Sequence, residues 1–188
     1  MPVEIYMETT PNPASLKFVL PGRMLLANNI AEFTSEAESK SSPLANALFK
    51  IPFVNRVFIS NNFITISKKD EYEWYEIQDE LKDAIRDQIE SGQAIVDSNY
   101  FEEKEVHTEE DGSIQSKITD LLEKYVKPAI EMDGGYISFK SYDEGVVTVQ
   151  LQGACSGCPS SMVTLKGGIE GLLKRMIPEV KEVVAEEV

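Results

Sequence analysis

The chain has 188 residues, 42% of them apolar, and a formal net charge of −14. That length and composition suffice for one large domain or two small ones with buried cores and exclude a chain that is disordered throughout. The charge excludes nonspecific binding to nucleic acid or to an anionic membrane face, both of which need basic surface, and no apolar run approaches the ~18 residues of a membrane span.

The first residues, Met1-Pro2-Val3-Glu4-Ile5-Tyr6, show neither a secretory signal nor an Arg- and Ser-rich transit segment, so the expected location is cytoplasmic. Residues 3–8 and 15–20 read as strands. Leu16, Phe18 and Leu20 alternate with Lys17 and Val19, and Thr9-Thr10-Pro11-Asn12-Pro13 makes a turn between the two runs. Pro21-Gly22 ends the second strand, and residues 31–34 suggest a third. Ser42-Pro43 has the form of a helix N-cap with proline at the first helical position, followed by Leu44, Ala47, Leu48 and Ile51 on one face. Residues 54–59 and 63–66 pair as a hairpin about Ser60-Asn61-Asn62. Trp74, Ile77, Leu81, Ala84, Ile85 and Ile89 then mark a long amphipathic helix closed by Ser91-Gly92. Residues 1–95 therefore form a small α+β domain.

The stretch from Asp97 to Asp111 holds seven acids and one lysine. So polar a segment buries too little surface to offset its ordering entropy, and residues 96–112 read as a flexible acidic linker. The lone histidine, His107, lies there and reads as a solvated side chain. The chain through Gly112 carries a net charge of −11 and the remainder −3, so the acidity belongs to the first domain and the linker.

Residues 113–188 read as a second α+β domain in the order α-β-β-α-β. Ile114, Ile118, Leu121, Leu122, Tyr125, Val126 and Ile130 mark its first helix, ended by Asp133-Gly134-Gly135. Strands over 137–140 and 146–151 flank the turn Asp143-Glu144-Gly145. Met162, Leu165, Ile169, Leu172 and Met176 define a helix from Pro159 to Met176, with a last strand over 180–185.

Between the second strand and this helix lies Gly153-Ala154-Cys155-Ser156-Gly157-Cys158-Pro159, with the chain's two cysteines. A helix start offers unpaired amides and a positive dipole end, which favour thiolate, the metal-binding form. The small neighbours let backbone amides approach a bulky inorganic core. Two thiolates do not complete a zinc site or an iron–sulfur cluster, which take four ligands, and this domain has no third cysteine and no histidine. A two-fold dimer would supply two Cys-x-x-Cys pairs to one 4Fe–4S cluster, exposed between subunits as suits a carrier. The pattern alone leaves three readings open: a dimer-bridging metal site, a redox dithiol of the thioredoxin kind, and a structural pair.

Lys127-Pro128-Ala129-Ile130-Glu131-Met132-Asp133-Gly134-Gly135, followed by Leu151-Gln152-Gly153-Ala154-Cys155-Ser156-Gly157-Cys158-Pro159-Ser160-Ser161, resembles the C-terminal NifU domain of Nfu-type iron–sulfur carriers. Thr10-Pro11-Asn12-Pro13, Leu16-Lys17-Phe18, Pro21-Gly22, Ser42-Pro43-Leu44-Ala45 and Leu48-Phe49 are similar to the family's N-terminal domain. The resemblance implies a non-enzymatic carrier that accepts a cluster from an upstream scaffold protein and passes it to iron–sulfur apo-protein clients. It gives Cys155 and Cys158 as the ligands of a 4Fe–4S cluster shared by a homodimer, with 2Fe–2S as the other cluster type. Tyr136 departs from the acidic residue common in relatives. The alternatives are a thiol–disulfide oxidoreductase using the same pair and an adaptor whose N-terminal domain binds clients.

Other candidates take structural readings. Glu102/Glu103 and Glu186/Glu187 read as solvated charge, Asp133 as a turn former, Met162 and Met176 as core, and Tyr72, Trp74 and Tyr75 as packing at a helix start.

Overall fold

The computed structural model describes residues 3–102, 113–157 and 159–187. They belong to two compact units, Met1–Glu105 and Val106–Val188, and both are α+β as the sequence predicts.

The first unit is built on an antiparallel sheet of β1 (Tyr6–Thr9), β2 (Ser15–Val19), β3 (Ala31–Phe33), β4 (Val54–Ile59) and β5 (Phe63–Lys68), in the order β1-β2-β5-β4-β3. The period of two along each strand aligns apolar residues across the sheet. Phe18, Ile64, Ile59 and Ala31 form one cross-strand row, and Leu16, Ile66, Val57 and Phe33 the next. All eight are buried in one cluster with Leu44 and Leu48 of α1 (Pro43–Phe49) and Ile77, Leu81 and Ile85 of α2 (Trp74–Glu90). Each such side chain contributes about 1.5–3 kcal/mol on burial.

Local chemistry fixes how the helices enter. Ser42 caps α1, accepting from the Ala45 amide at 3.0 Å and donating to the Ile95 carbonyl at 2.6 Å. Trp74 ties the start of α2 to the proline-rich turn, its indole N–H donating to the Pro13 carbonyl at 2.9 Å. Residues 96–102, assigned to the linker from sequence, include α3 (Asn99–Glu102), and Val96, Tyr100 and Phe101 pack on the first core beside Ile95. The Tyr100 ring lies 5.3 Å from that of Phe33. The acidity of the segment hid these apolar anchors. The rest of the expected linker, with His107, lies outside the described residues.

The second unit begins with α4 (Ile114–Leu121), capped by the Ser113 hydroxyl, which accepts from the Ser116 amide at 3.0 Å. A π-helical turn over Leu122–Val126 separates it from α5 (Lys127–Met132). Pro128 supplies the reason: it has no amide for the carbonyl four residues back, and its ring crowds that carbonyl, so the wider turn takes up the mismatch. β6 (Gly135–Asp143) pairs antiparallel with β7 (Val146–Gly153), and β7 pairs parallel with β8 (Glu182–Glu187) after the crossover through α6 (Pro159–Met176). The order is the predicted α-β-β-α-β. Ile118, Leu122, Val126 and Ile130 pack with Ile137, Val147, Val149, Leu151, Ile169, Leu173, Ile177 and Val183. On α6 the buried residues are Ile169 and Leu173, with Ile177 just past the helix end; of the predicted face Ile169 is buried and Leu165 and Leu172 pack partly on the core, whereas Met176 is exposed rather than core. The side chain of Met162 lies outside the described residues.

Candidate functional site

The site forms where β7 leaves the sheet. Gly153, the last residue of β7, pairs with Gly135, the first of β6. Gly153 has a φ of 68°, a left-handed conformation that costs most residues energy and glycine almost none. It turns the chain off the sheet into Ala154-Cys155-Ser156-Gly157. The Ala154 amide donates to the Gly134 carbonyl at 3.1 Å, so the cysteine turn is anchored to the Asp133-Gly134-Gly135 turn that ends α5. The Ser156 amide donates to the Gly153 carbonyl at 3.2 Å and its hydroxyl to the Leu151 carbonyl at 3.0 Å. Two glycine-rich stretches about 20 residues apart in sequence are thus one structure.

Cys155 is 7% exposed and packs in the second core. A methyl group added to Gly135 would overlap its Sγ, and would also stand 3.1 Å from the Gln152 carbonyl and 3.2 Å from Ile130 Cγ2. Gly135 is therefore the floor beneath the thiol. The sequence alone places this glycine in a helix stop and in the stretch shared with NifU domains, without a link to the thiol. The pairing of β6 with β7, which the sequence did not register residue by residue, is what brings it under Cys155. The described residues of the two turns, Gly134, Gly135, Gly153, Ala154, Ser156 and Gly157, are all small apart from Cys155 itself.

Cys158, the other predicted ligand, lies outside the described residues. Among the described residues no three His, Cys, Asp or Glu side chains cluster so as to hold a metal ion. His107 also lies outside the described residues.

Two polar contacts border the turn. Glu187 accepts a hydrogen bond from the Gly157 amide at 2.9 Å, and its neighbour Glu186 pairs with Lys140 at 2.5 Å. Both were read from sequence as solvated charge. Their partners follow from the parallel register of β7 and β8, which sets Glu187 opposite Leu151, and alternation alone does not reveal that register. On the other side, Tyr136 follows the floor glycine. Its ring lies 4.9 Å from the ammonium of Lys127, which hydrogen-bonds both carboxylate oxygens of Glu123 at 3.1 Å. Burial presses the Lys127 pKa down, but the Glu123 and Tyr136 contacts outweigh it and hold the pKa above the ordinary lysine value.

Comparison with known proteins gives two family matches. Residues 5–92 match the family described as scaffold protein Nfu/NifU N terminal, and residues 118–184 match the NifU-like domain. The chain is 43% identical over 180 residues to a protein of Drosophila willistoni named NFU1 iron-sulfur cluster scaffold homolog, mitochondrial, covering 95% of this chain and 62% of that protein. It is 38% identical over 180 residues to the human protein of the same name, covering 95% and 70%. To NifU-like protein 4, mitochondrial, of Arabidopsis thaliana it is 39% identical over 186 residues, covering 97% and 65%. The chain thus spans 62–70% of the length of these relatives. All three are named mitochondrial, which overturns the expectation of a cytoplasmic location.

Proposed function

From the premise that the chain belongs to the Nfu family of NifU-like proteins, whose curated relatives are named iron–sulfur cluster scaffolds, we propose that it carries a 4Fe–4S cluster between two copies of itself. Cys155 and Cys158 of each copy ligate the cluster, and the chain hands it to apo-proteins without catalysing a reaction of its own. The N-terminal unit positions clients.

One observation carries the reading: the sequence has two cysteines, spaced as a pair at the end of β7, and a cluster takes four ligands. The pair is half a site, and a second copy in two-fold relation supplies the other half with no further residue type. The turn supports this, since Gly153, Ala154, Ser156 and Gly157 carry little side chain to stand in the way of a bulky core. Retention by a pair from each subunit, at a turn of small residues, suits a cargo that must leave again.

Anaerobic reconstitution with iron and sulfide tests the proposal. The expected product is brown, elutes as a dimer and contains about four irons per two chains, as four thiolates per cluster require. Cys155→Ser should abolish the colour. A colourless monomer that reduces disulfides would instead establish the dithiol oxidoreductase.

A further inference from the structure

The hydrogen bonds that fix the cysteine turn differ in origin. The Ala154 amide is held by Gly134, the Ser156 amide by Gly153 and the Ser156 hydroxyl by Leu151, all backbone carbonyls of the turn or its supporting strands. The Gly157 amide is held by a carboxylate from 30 residues away, at the far end of β8. Gly157 sits between the two cysteines in sequence, and among the described residues no atom lies within 4 Å of a methyl group added to it.

Backbone amides around an iron–sulfur cluster donate to its sulfurs, and such bonds tune how firmly the core is held. At Gly157 that donor is already engaged by an anion. The engaged state accompanies a sheltered thiol, with Cys155 7% exposed above Gly135. An arriving cluster core is itself anionic, so the same carboxylate opposes it by like charge in addition to competing for the amide.

We propose that Glu187 is a positioning residue for the cysteine turn: its carboxylate, by holding the Gly157 amide, keeps Cys155 sheltered in the unloaded chain and weakens retention of the cluster once loaded. The second half rests on the carrier reading above. The first half does not. The contact explains why a carrier would keep an acidic side chain at the edge of its own cargo site. It shelters the Cys155 thiol when the site is empty and favours departure when the site is full.

Glu187→Ala and Glu187→Gln in the full chain separate the two effects, because glutamine keeps an oxygen acceptor and loses the charge. In the unloaded chain, alkylation of Cys155 by iodoacetamide is followed by peptide mass spectrometry. The alanine variant should react about fivefold faster, the shift expected when one exposed charge-assisted hydrogen bond is lost, and the glutamine variant, whose neutral acceptor keeps roughly half that strength, only about twofold faster. In the reconstituted dimer, loss of visible absorbance to an iron chelator is timed. Both variants should lose the cluster more slowly than wild type. A purely structural role for Glu187 would instead speed cluster loss in the alanine variant and leave the glutamine variant unchanged, and that outcome overturns the charge effect. Wild-type alkylation in Glu187→Ala overturns the shelter. If wild type takes up no cluster, the carrier reading fails and the retention half falls with it, while alkylation still decides whether Glu187 positions the turn.

Discussion

Gly135→Ala tests whether the thiol truly rests on the floor described for it. The added methyl would meet three groups: Cys155 Sγ in overlap, the Gln152 carbonyl at 3.1 Å and Ile130 Cγ2 at 3.2 Å. The carbonyl is fixed by the β6–β7 ladder, and Ile130 is 2% exposed in the core. Cys155 must therefore yield, and it is itself buried. Overpacking of this kind costs about 1–3 kcal/mol, less about 0.4–1 kcal/mol because alanine stiffens the unfolded chain. The net is a loss of up to about 2.6 kcal/mol, centred on about 1.3 kcal/mol, which is roughly 5–10 °C in the melting temperature of a unit this size. Calorimetry of the full chain should show the second unit's transition lowered. The fluorescence of Trp74, the single tryptophan, lies in the first unit and should melt at the wild-type temperature. Alkylation of Cys155 should speed up as its sulfur is pushed outward. If the melt and the alkylation rate both stay at wild-type values, Gly135 does not support the thiol and the reasoning fails. Gly168→Ala is the control of opposite sign. Gly168 lies within α6 with nothing within 4 Å of the added carbon, so alanine should stabilise by about 0.5–1 kcal/mol.

Ser42→Ala removes both the α1 cap and the bond that ties residue 95 to that helix; chemical denaturation should register a loss of about 1–3 kcal/mol in the first unit only. Glu170 accepts from Lys174 at 2.5 Å and from the Val183 amide at 3.1 Å, joining α6 to β8. The hydrogen bonds from Lys174 and from the Val183 amide hold its pKa below the ordinary glutamate value. Its contribution is therefore present above that ordinary value and lost as pH falls through the lower folded one. Melts of wild type from neutral to acidic pH should drop through this range, and Glu170→Gln should flatten that part of the profile; an identical acid limb in both proteins would remove Glu170 from the linkage.

What the sequence made legible was whatever depends on local chemistry. The Ser42-Pro43 cap, the apolar rows of α2 and the β4–β5 hairpin each follow from a few neighbouring residues, and all are present, whereas the half-buried alternation expected of β2 is not, because both faces of β2 are covered. The cysteine turn was legible for the same reason, as a Cys-x-x-Cys between an alternating run and a periodic one. What escaped depends on pairing at long range. Nothing near Gly135 announces that it lies under Cys155, because the β6–β7 register decides that. Val96, Tyr100 and Phe101 were lost in an acidic stretch whose average hid three apolar anchors. The tail carboxylates are the sharpest case: Glu186 and Glu187 look alike, yet one meets Lys140 and the other the Gly157 amide, a difference set by where β8 lies along β7.

The burial of Cys155 bears on how transfer can work. A ligand that bridges to a second subunit must present its sulfur outward, whereas here the thiol is 7% exposed and seated on a glycine. The backbone that carries it is well fixed, by the Gly134 and Gly153 carbonyls and by the bond from Ser156 to Leu151. Exposure of the sulfur therefore calls for rotation or displacement confined to residues 154–157 and their link to Glu187, with the sheet left intact. A small local change costs little, so on the carrier proposal loading and release would need no refolding of the unit, only exchange of a few hydrogen bonds of about 0.5–1.5 kcal/mol each. On this account the second unit is a rigid platform with one adaptable turn. The consequence is specific: amide exchange in β6 and β7 should be the same in loaded and unloaded protein, and among the described residues the change should be confined to the amides from 154 to 157. Widespread changes across the sheet on loading would mean that the platform itself rearranges, and the turn would then be a passenger rather than the moving part.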